Sequence, residues 1–254
     1  MNVRQSGLMT SKSWPDMTDK VVWITGGSRG IGFAAATELA TAGATVVLLG
    51  STEESAQNAA ESLVSKGLDV IGLGLNIADS AAVADKVGNH PLAAGADVLI
   101  NCAGVMSDKM AKTLRATTVE WDRVMGINFN GTLNMIQAIT PGMVDRRSGR
   151  VINVSACLGR FSGPGLAGGL APYRISKTAV NALTKNLAAE LGSGKRGVLV
   201  DAMCPNHTST DMGGPDAPRS PEQAADTIIW LATREHEEES QTGLLWEDRQ
   251  IVPW

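Results

Sequence analysis

Short apolar runs alternate along the chain with longer stretches whose apolar positions recur at helical spacing, an alternation that predicts parallel strands joined by covering helices. The runs are Val21 to Ile24, Thr45 to Leu49, Val70 to Leu73, Asp97 to Ile100, Gly149 to Val154 and Val198 to Met203. Between them the pattern predicts helices over Phe33 to Ala40, Glu53 to Lys66, from about Ser80 onward, Val119 to Val144, Pro172 to Leu191 and Pro221 to Ala232. Gly43 closes the first helix, and Ser220 followed by Pro221 reads as the N-cap and first position of the last. A short strand, Gly243 to Trp246, precedes the C-terminal Ile251-Val252-Pro253-Trp254. Leu158 to Ala171 is too rich in glycine for a core element, Pro205 to Pro218 reads as a loop, and Glu235 to Ser240 as an acidic, solvated one. The whole is an α/β chain with one domain over residues 19–254, after a polar, aperiodic tail over 1–18 in which Met9 and Met17 offer alternative starts.

The composition changes this picture little. With 254 residues, 43% of them apolar, one α/β domain has a substantial core and a second is not required. A formal net charge of −4 without clustered Lys and Arg argues against a nucleic-acid surface, which needs a basic patch. Cys102, Cys157 and Cys204 lie far apart and His90, His207 and His236 lack ligand spacing. The thiols therefore read as reduced core residues, with no disulfide framework and no metal site. No run approaches the ~18 apolar residues of a membrane helix, and the N-terminus has no signal-peptide centre, so the expected compartment is the cytoplasm, with no membrane partner.

Two constellations carry chemistry. Thr25-Gly26-Gly27-Ser28-Arg29-Gly30-Ile31-Gly32 links the first strand to the first helix. There glycines allow a tight turn and close approach to a pyrophosphate, which the free N–H groups of the helix N-terminus face. The plainer alternative is a turn that needs glycine for its own geometry. Tyr173 and Lys177 are four apart on a helix and so share a face. An ammonium beside a phenol favours the phenolate and pulls its pKa down from about 10, and such a tyrosine can hand a proton to a carbonyl oxygen or take one from an alcohol. Ligands in such sheets bind beyond the carboxyl ends of the strands, where Asn101 to Gly104 fall.

The glycine turn, Asn101-Cys102-Ala103-Gly104, Ile127-Asn128 and Tyr173-x-x-x-Lys177 follow one another in one order, and in this the chain resembles the classical short-chain dehydrogenase/reductase family from about residue 18 to its end. Ala171 to Lys177, Thr210 to Gly214 and the C-terminal Gly243 to Trp254 look more particularly like its carbonyl-reductase-like members. The resemblance implies a Rossmann-like, doubly wound parallel sheet of about seven strands with helices on both faces. It also implies a nicotinamide cofactor and hydride transfer to or from a small-molecule ketone, aldehyde or secondary alcohol. On this resemblance Tyr173 is the general acid/base, Lys177 lowers its pKa and holds the nicotinamide ribose, and Asn128 keeps the water that links Lys177 to solvent. The implied cofactor contacts are Gly26, Ser28, Arg29, Gly30, Ile31, Gly32, Ser51, Asn76, Ile77, Asn101, Ala103, Gly104, Tyr173, Lys177, Pro205, Thr208 and Thr210, with Thr210 at the nicotinamide carboxamide.

The chain departs from the family pattern in four places. Ala156 falls where the catalytic serine belongs; Ser155 serves only if the strand end shifts by one residue, since alternation otherwise points it the other way, and Ser162 is a further candidate. The stretch from Ser155 to Tyr173 is longer than usual, which in relatives obstructs helix-to-helix assembly, so a homo-oligomer is left open. Cys204-Pro205-Asn206-His207 stands where Pro-Gly is usual, making His207 a candidate substrate-facing group. Asn76 stands in place of an aspartate that contacts adenine. For the cofactor, Gly50-Ser51-Thr52 offers no acid to a ribose 2′-hydroxyl and Arg29 is placed to meet a 2′-phosphate, which favours NADP(H). NAD(H) stays the other candidate, because Ser51 replaces the usual arginine and Glu53-Glu54 follow. The expected function is an NADP(H)-preferring carbonyl reductase or alcohol dehydrogenase. Its rival is an NADP(H)-binding sensor or scaffold whose catalysis is weak or lost through Ala156.

Overall fold

Val46, Val47 and Leu48 are all fully buried, as are Val22, Trp23 and Ile24, because these strands are covered on both faces and an uninterrupted apolar run suits them. The computed structural model describes residues 14–237 and 240–254. Its strands are β1 (Val21–Thr25), β2 (Thr45–Gly50), β3 (Val70–Gly74), β4 (Val98–Asn101), β5 (Gly149–Val154), β6 (Val198–Met203), β7 (Leu245–Glu247) and β8 (Gln250–Val252). They form one sheet in the order β3-β2-β1-β4-β5-β6-β7-β8, parallel except for the β7–β8 pair. The register sets Thr25 beside Asn101 and Asn101 beside Asn153, so three polar residues line up at the carboxyl ends of the central strands. The strand order reverses between β1 and β4, which is where a doubly wound sheet opens a crevice.

Helices α1 (Gly30–Thr41), α2 (Glu53–Val64), α3 (Ser80–Val83), α4 (Thr118–Met125), α5 (Gly131–Arg146), α6 (Ala171–Glu190) and α7 (Pro221–Thr233) connect the strands. One apolar core joins the sheet to α1, α2 and α7, and a second joins its other face to α5 and α6.

The structure adds detail to the sequence reading in several places. The sheet has eight strands: beyond Leu245–Glu247 the chain turns at Asp248 and Arg249, both at positive φ, and returns as β8. That turn lacks the Gly or Asn that marks a two-residue hairpin. Tertiary ion pairs hold it, Arg219 to Asp248 at 2.6 Å and Arg249 to Asp226 at 2.7 Å. The helix predicted over Val119 to Val144 is divided by a π-helical turn, Gly126–Asn130, and the one after Ser80 passes into another, Ala84–Gly88. Most of the tail expected over 1–18, Met9 included, lies outside the described residues. Its described end is anchored: Met17 is buried and its N–H donates to the Ala42 carbonyl at 2.8 Å. Residues 238 and 239 of the acidic loop also lie outside the description. Of the three free cysteines only Cys204 is buried, while Cys102 and Cys157 are half-buried. No helix among the described residues is long and apolar enough to cross a membrane.

Candidate active site

Gly26 and Gly30 sit at φ +64° and +56°, the left-handed region that β-carbons disfavour. A β-carbon at Gly32 would lie 2.3 Å from the Gly26 carbonyl oxygen, so the turn closes on itself only with glycine there. Thr25 ties the turn to the next crossover, its Oγ1 accepting the N–H groups of Cys102 at 3.1 Å and Ala103 at 3.0 Å. Arg29 caps α1 in extended conformation with no side-chain cap bond, which leaves the first-turn N–H groups to an incoming acceptor. Gly32→Ala should therefore abolish dinucleotide binding in a fluorescence titration and lower the melting temperature; unchanged affinity would contradict this geometry.

Beside the turn, Asn101 Nδ2 donates to Asn153 Oδ1 at 2.9 Å, and Asn153 Nδ2 to Thr184 Oγ1 at 2.9 Å. The Asn101 Oδ1 is buried without a partner, an acceptor held at the sheet edge. A β-carbon at Gly104 would stand 3.4 Å from both Asn128 Oδ1 and Lys177 Nζ, so the bare glycine keeps that approach open. These features fit a dinucleotide laid across the carboxyl ends of β1 and β4.

The π-helical turn aims Asn128 inward, fully buried. Its Oδ1 accepts the Val105 N–H at 2.8 Å, and its Nδ2 donates to the Val105 carbonyl at 3.0 Å and to Ser176 Oγ at 2.9 Å. Ser176 in turn donates to the Tyr173 carbonyl at 2.7 Å. Asn128 thus clamps the loop after β4 to the start of α6. Pattern reading passed over Ser176, Asn153, Asn181 and Thr184. The available signal was polar residues recurring at 176, 177, 181 and 184, all on the buried side of α6.

Tyr173 is buried beside Val124 and Ala156, under Val105, Met106, Leu158 and Leu170. The pair with Lys177 differs from expectation. Lys177 Nζ donates to the Val154 carbonyl at 2.7 Å and lies 6.0 Å from the Tyr173 ring centroid. Burial pushes the phenol above its ordinary range, and the thiols of Cys204 and Cys157 add to that. No side-chain hydrogen bond among the described residues offsets it. Burial likewise lowers Lys177 to about 8, against smaller opposing effects of Cys102 and Cys204.

The structure gives each serine candidate hydrogen-bond partners of its own. Ser155 is buried with its Oγ donating to Asn181 Oδ1 at 2.5 Å and to the Lys177 carbonyl at 3.4 Å, against α6. No register shift occurs: Ser155 N–H pairs with the Met203 carbonyl, Ala156 continues extended at φ −157°, and it is Ala156 that touches Tyr173. Ser162 accepts from Arg160 Nε at 3.3 Å, on a side chain that pairs with Glu247. His207 is exposed and bonded to the Gly213 carbonyl at 2.8 Å, within its own loop. In that loop Thr208 donates to the Pro205 carbonyl at 3.1 Å, and Thr210 Cγ2 would stand 3.1 Å from a β-carbon at Gly30, so the loop folds over the glycine turn. Arg29 pairs with Asp211 there at 3.1 Å, with both side chains largely in solvent. At the far rim Ser51 and Asn76 are exposed, Asn76 Oδ1 accepting the Ala78 N–H, while Ile77 is buried against Gly131. Ser28 and Ile31, half-buried, lie in the turn itself.

The model of the short chain dehydrogenase family matches residues 20–220. The chain belongs to that family. This short chain dehydrogenase is accordingly an NAD(P)-dependent oxidoreductase. It is similar to the 3-oxoacyl-[acyl-carrier-protein] reductase FabG of Staphylococcus aureus, 36% identical over 195 residues that make up 76% of each chain. The enzyme of the same name from Aquifex aeolicus is 35% identical over 76% of this chain and 75% of its own. Among solved structures, a 3-oxoacyl-[acyl-carrier protein] reductase from Brucella melitensis with bound NAD superposes with a TM-score of 0.82 at 28% identity, over 97% of this chain and 96% of the other. A putative NAD(P) dependent gluconate 5-dehydrogenase from Beutenbergia cavernae with bound NADP gives 0.80 at 25% identity, over 92% and 96%. These relatives carry names other than the carbonyl-reductase-like one that the sequence motifs suggest.

Proposed function

We propose that this short chain dehydrogenase uses NADP(H) to reduce a ketone carbonyl, with Tyr173 as the proton donor. The observation that carries this reading is the Ala103-Gly104 backbone, which lies against Gly26 of the glycine turn on one side and near Lys177 Nζ, itself 6.0 Å from the Tyr173 ring, on the other. A nicotinamide dinucleotide held by the Gly26 to Gly32 turn would supply the hydride. Tyr173, held protonated by burial, gives its phenolic proton to the carbonyl oxygen. Lys177 supplies positive charge below about pH 8, and Asn128 with Ser176 positions the helix start that carries both. Val105, Met106, Leu158 and Leu170 make an apolar mouth suited to a hydrophobic ketone. The names of the relatives make 3-oxoacyl thioesters the first class to assay, followed by aryl ketones and 1,2-dicarbonyls.

NADP(H) is supported at the other end of the crevice. The Glu53 carboxylate, the nearest acid after β2, is engaged by the Gly74 N–H at 3.0 Å and by Gln57 at 2.9 Å, and these bonds lower its pKa. Among the described residues the Arg29 side chain is tied to Asp211 by an exposed pair, which a phosphate can displace at little cost. Arg29→Ala should raise KM for NADPH about tenfold, the weight of one charge-assisted contact, and leave KM for NADH unchanged. Equal effects on both would count against a 2′-phosphate contact. The function itself is tested by NADPH and NADH oxidation at matched concentrations against the carbonyl panel and by the reverse reaction with alcohols.

Ala156 favours a second reading, a cofactor-binding protein with weak or lost turnover, since no hydroxyl stands at its position beside Tyr173. Tight NADPH binding with no turnover in either direction would support it.

A further inference from the structure

Two of the three cysteines belong to one packed cluster where β5 and β6 end. Ser155 N–H donates to the Met203 carbonyl at 2.8 Å, so the strands leave the sheet side by side. Cys204 follows β6, its backbone fixed by a bond from its N–H to the Trp246 carbonyl at 2.8 Å. Cys157 opens the short turn Cys157–Gly159 and packs on the cluster formed by Ala202, Cys204 and Leu245. Both thiols are free, and the Cys204 Sγ donates to Asn206 Oδ1 at 3.8 Å. Cys157 is half-buried, within reach of a small solute, and Cys204 is buried behind it.

We infer that Cys157 and Cys204 form a reversible dithiol–disulfide site that responds to peroxides and pins the glycine-rich loop to the end of β6. The Cys204 thiol beside it holds Cys157 well below the ordinary thiol range, and Cys157 together with burial raises Cys204, so the half-buried partner carries the thiolate. The Cys157 thiolate attacks one peroxide oxygen. The O–O bond breaks, hydroxide leaves and is protonated, and Cys157 becomes a sulfenic acid. Cys204 sulfur then attacks the sulfenic sulfur, its proton leaves with the hydroxyl as water, and the S–S bond closes. Two thiols have given up two electrons, and one hydrogen peroxide has become two waters. Cys157 lies between Ala156 and Leu158, which touch Tyr173, and Cys204 precedes the loop whose Thr210 covers Gly30. The bridge therefore ties the two loops that frame the crevice.

The test exposes the whole protein to a few-fold excess of hydrogen peroxide at neutral pH, alkylates remaining thiols with N-ethylmaleimide, and maps peptides by mass. The expected product is about 2 Da lighter before alkylation, carries a Cys157–Cys204 cross-linked peptide, and reverts with dithiothreitol. Cys102, whose desolvated thiol is pushed up to about 11, should still alkylate. Cys157→Ser should abolish the cross-link. Sulfinic or sulfonic acid at Cys157 with Cys204 still alkylatable would overturn the proposal, as would pairing through Cys102 or three unmodified thiols. Amide hydrogen exchange within 158–170 should slow several-fold in the oxidised protein; unchanged exchange would refute the pinning. The readouts are mass and exchange, so their outcome is independent of whether the reductase reading holds.

Discussion

Tyr173→Phe abolishes carbonyl-dependent NADPH oxidation, lowering kcat by about 10³-fold or more, while NADPH affinity and melting temperature stay close to the parent values. Removal of one general acid typically costs about 10²–10⁴ in rate. The change deletes only the hydroxyl, which has no side-chain hydrogen bond among the described residues, and keeps the ring that packs on Val124 and Ala156. The fold should thus be indifferent to it. Stopped-flow turnover on the best substrate of the panel, beside an NADPH fluorescence titration, separates the two effects. A variant that retains turnover within tenfold would remove Tyr173 from the chemistry.

Ala156→Ser raises kcat by about 10²-fold, the weight of one hydrogen-bond donor aimed at a developing oxyanion. Ala156 touches Tyr173 and continues the extended path of β5, so a hydroxyl added there stands beside the phenol and can polarise the same carbonyl. Ser155→Ala, one residue away, should leave kcat unchanged. Its cost falls on stability, about 1–3 kcal/mol, because the buried Asn181 Oδ1 loses its donor. The pair of variants distinguishes the faces of one strand: alternation assigns chemistry to 156 and packing to 155. Loss of rate in Ser155→Ala, with none gained in Ala156→Ser, would restore Ser155 as the catalytic hydroxyl.

The same variants separate an active enzyme from a weakened one. If the parent is slow and Ala156→Ser is fast, the missing hydroxyl is the cause. If both are inert although NADPH binds, the crevice serves binding alone.

Much of the molecule was legible in the chain. Six parallel strands and their covering helices follow from the alternation of apolar runs with amphipathic stretches, because burial on both faces permits no polar interruption. The glycine turn was readable because backbone geometry there excludes a side chain, and Tyr173 with Lys177 because a four-residue spacing is a local property of a helix. What escaped depends on partners distant in sequence. The β7–β8 turn rests on ion pairs with Arg219 and Asp226, the π-helical turn at Asn128 on the Val105 backbone, and the anchoring of Met17 on Ala42.

The electrostatics of the site were also beyond the sequence. Spacing brings Lys177 to the face of Tyr173, but only packing decides that its ammonium turns to the Val154 carbonyl and that burial raises the phenol. Likewise Cys157 and Cys204, far apart along the chain, share one packed cluster only because β5 and β6 are neighbours. The sequence by itself determined the strands, the glycine turn and the shared helix face of Tyr173 and Lys177, since each is encoded within a few consecutive residues. The tertiary structure alone decided which serine packs against α6, where the charges point and which thiols share a cluster, since these depend on contacts that close only when the sheet assembles.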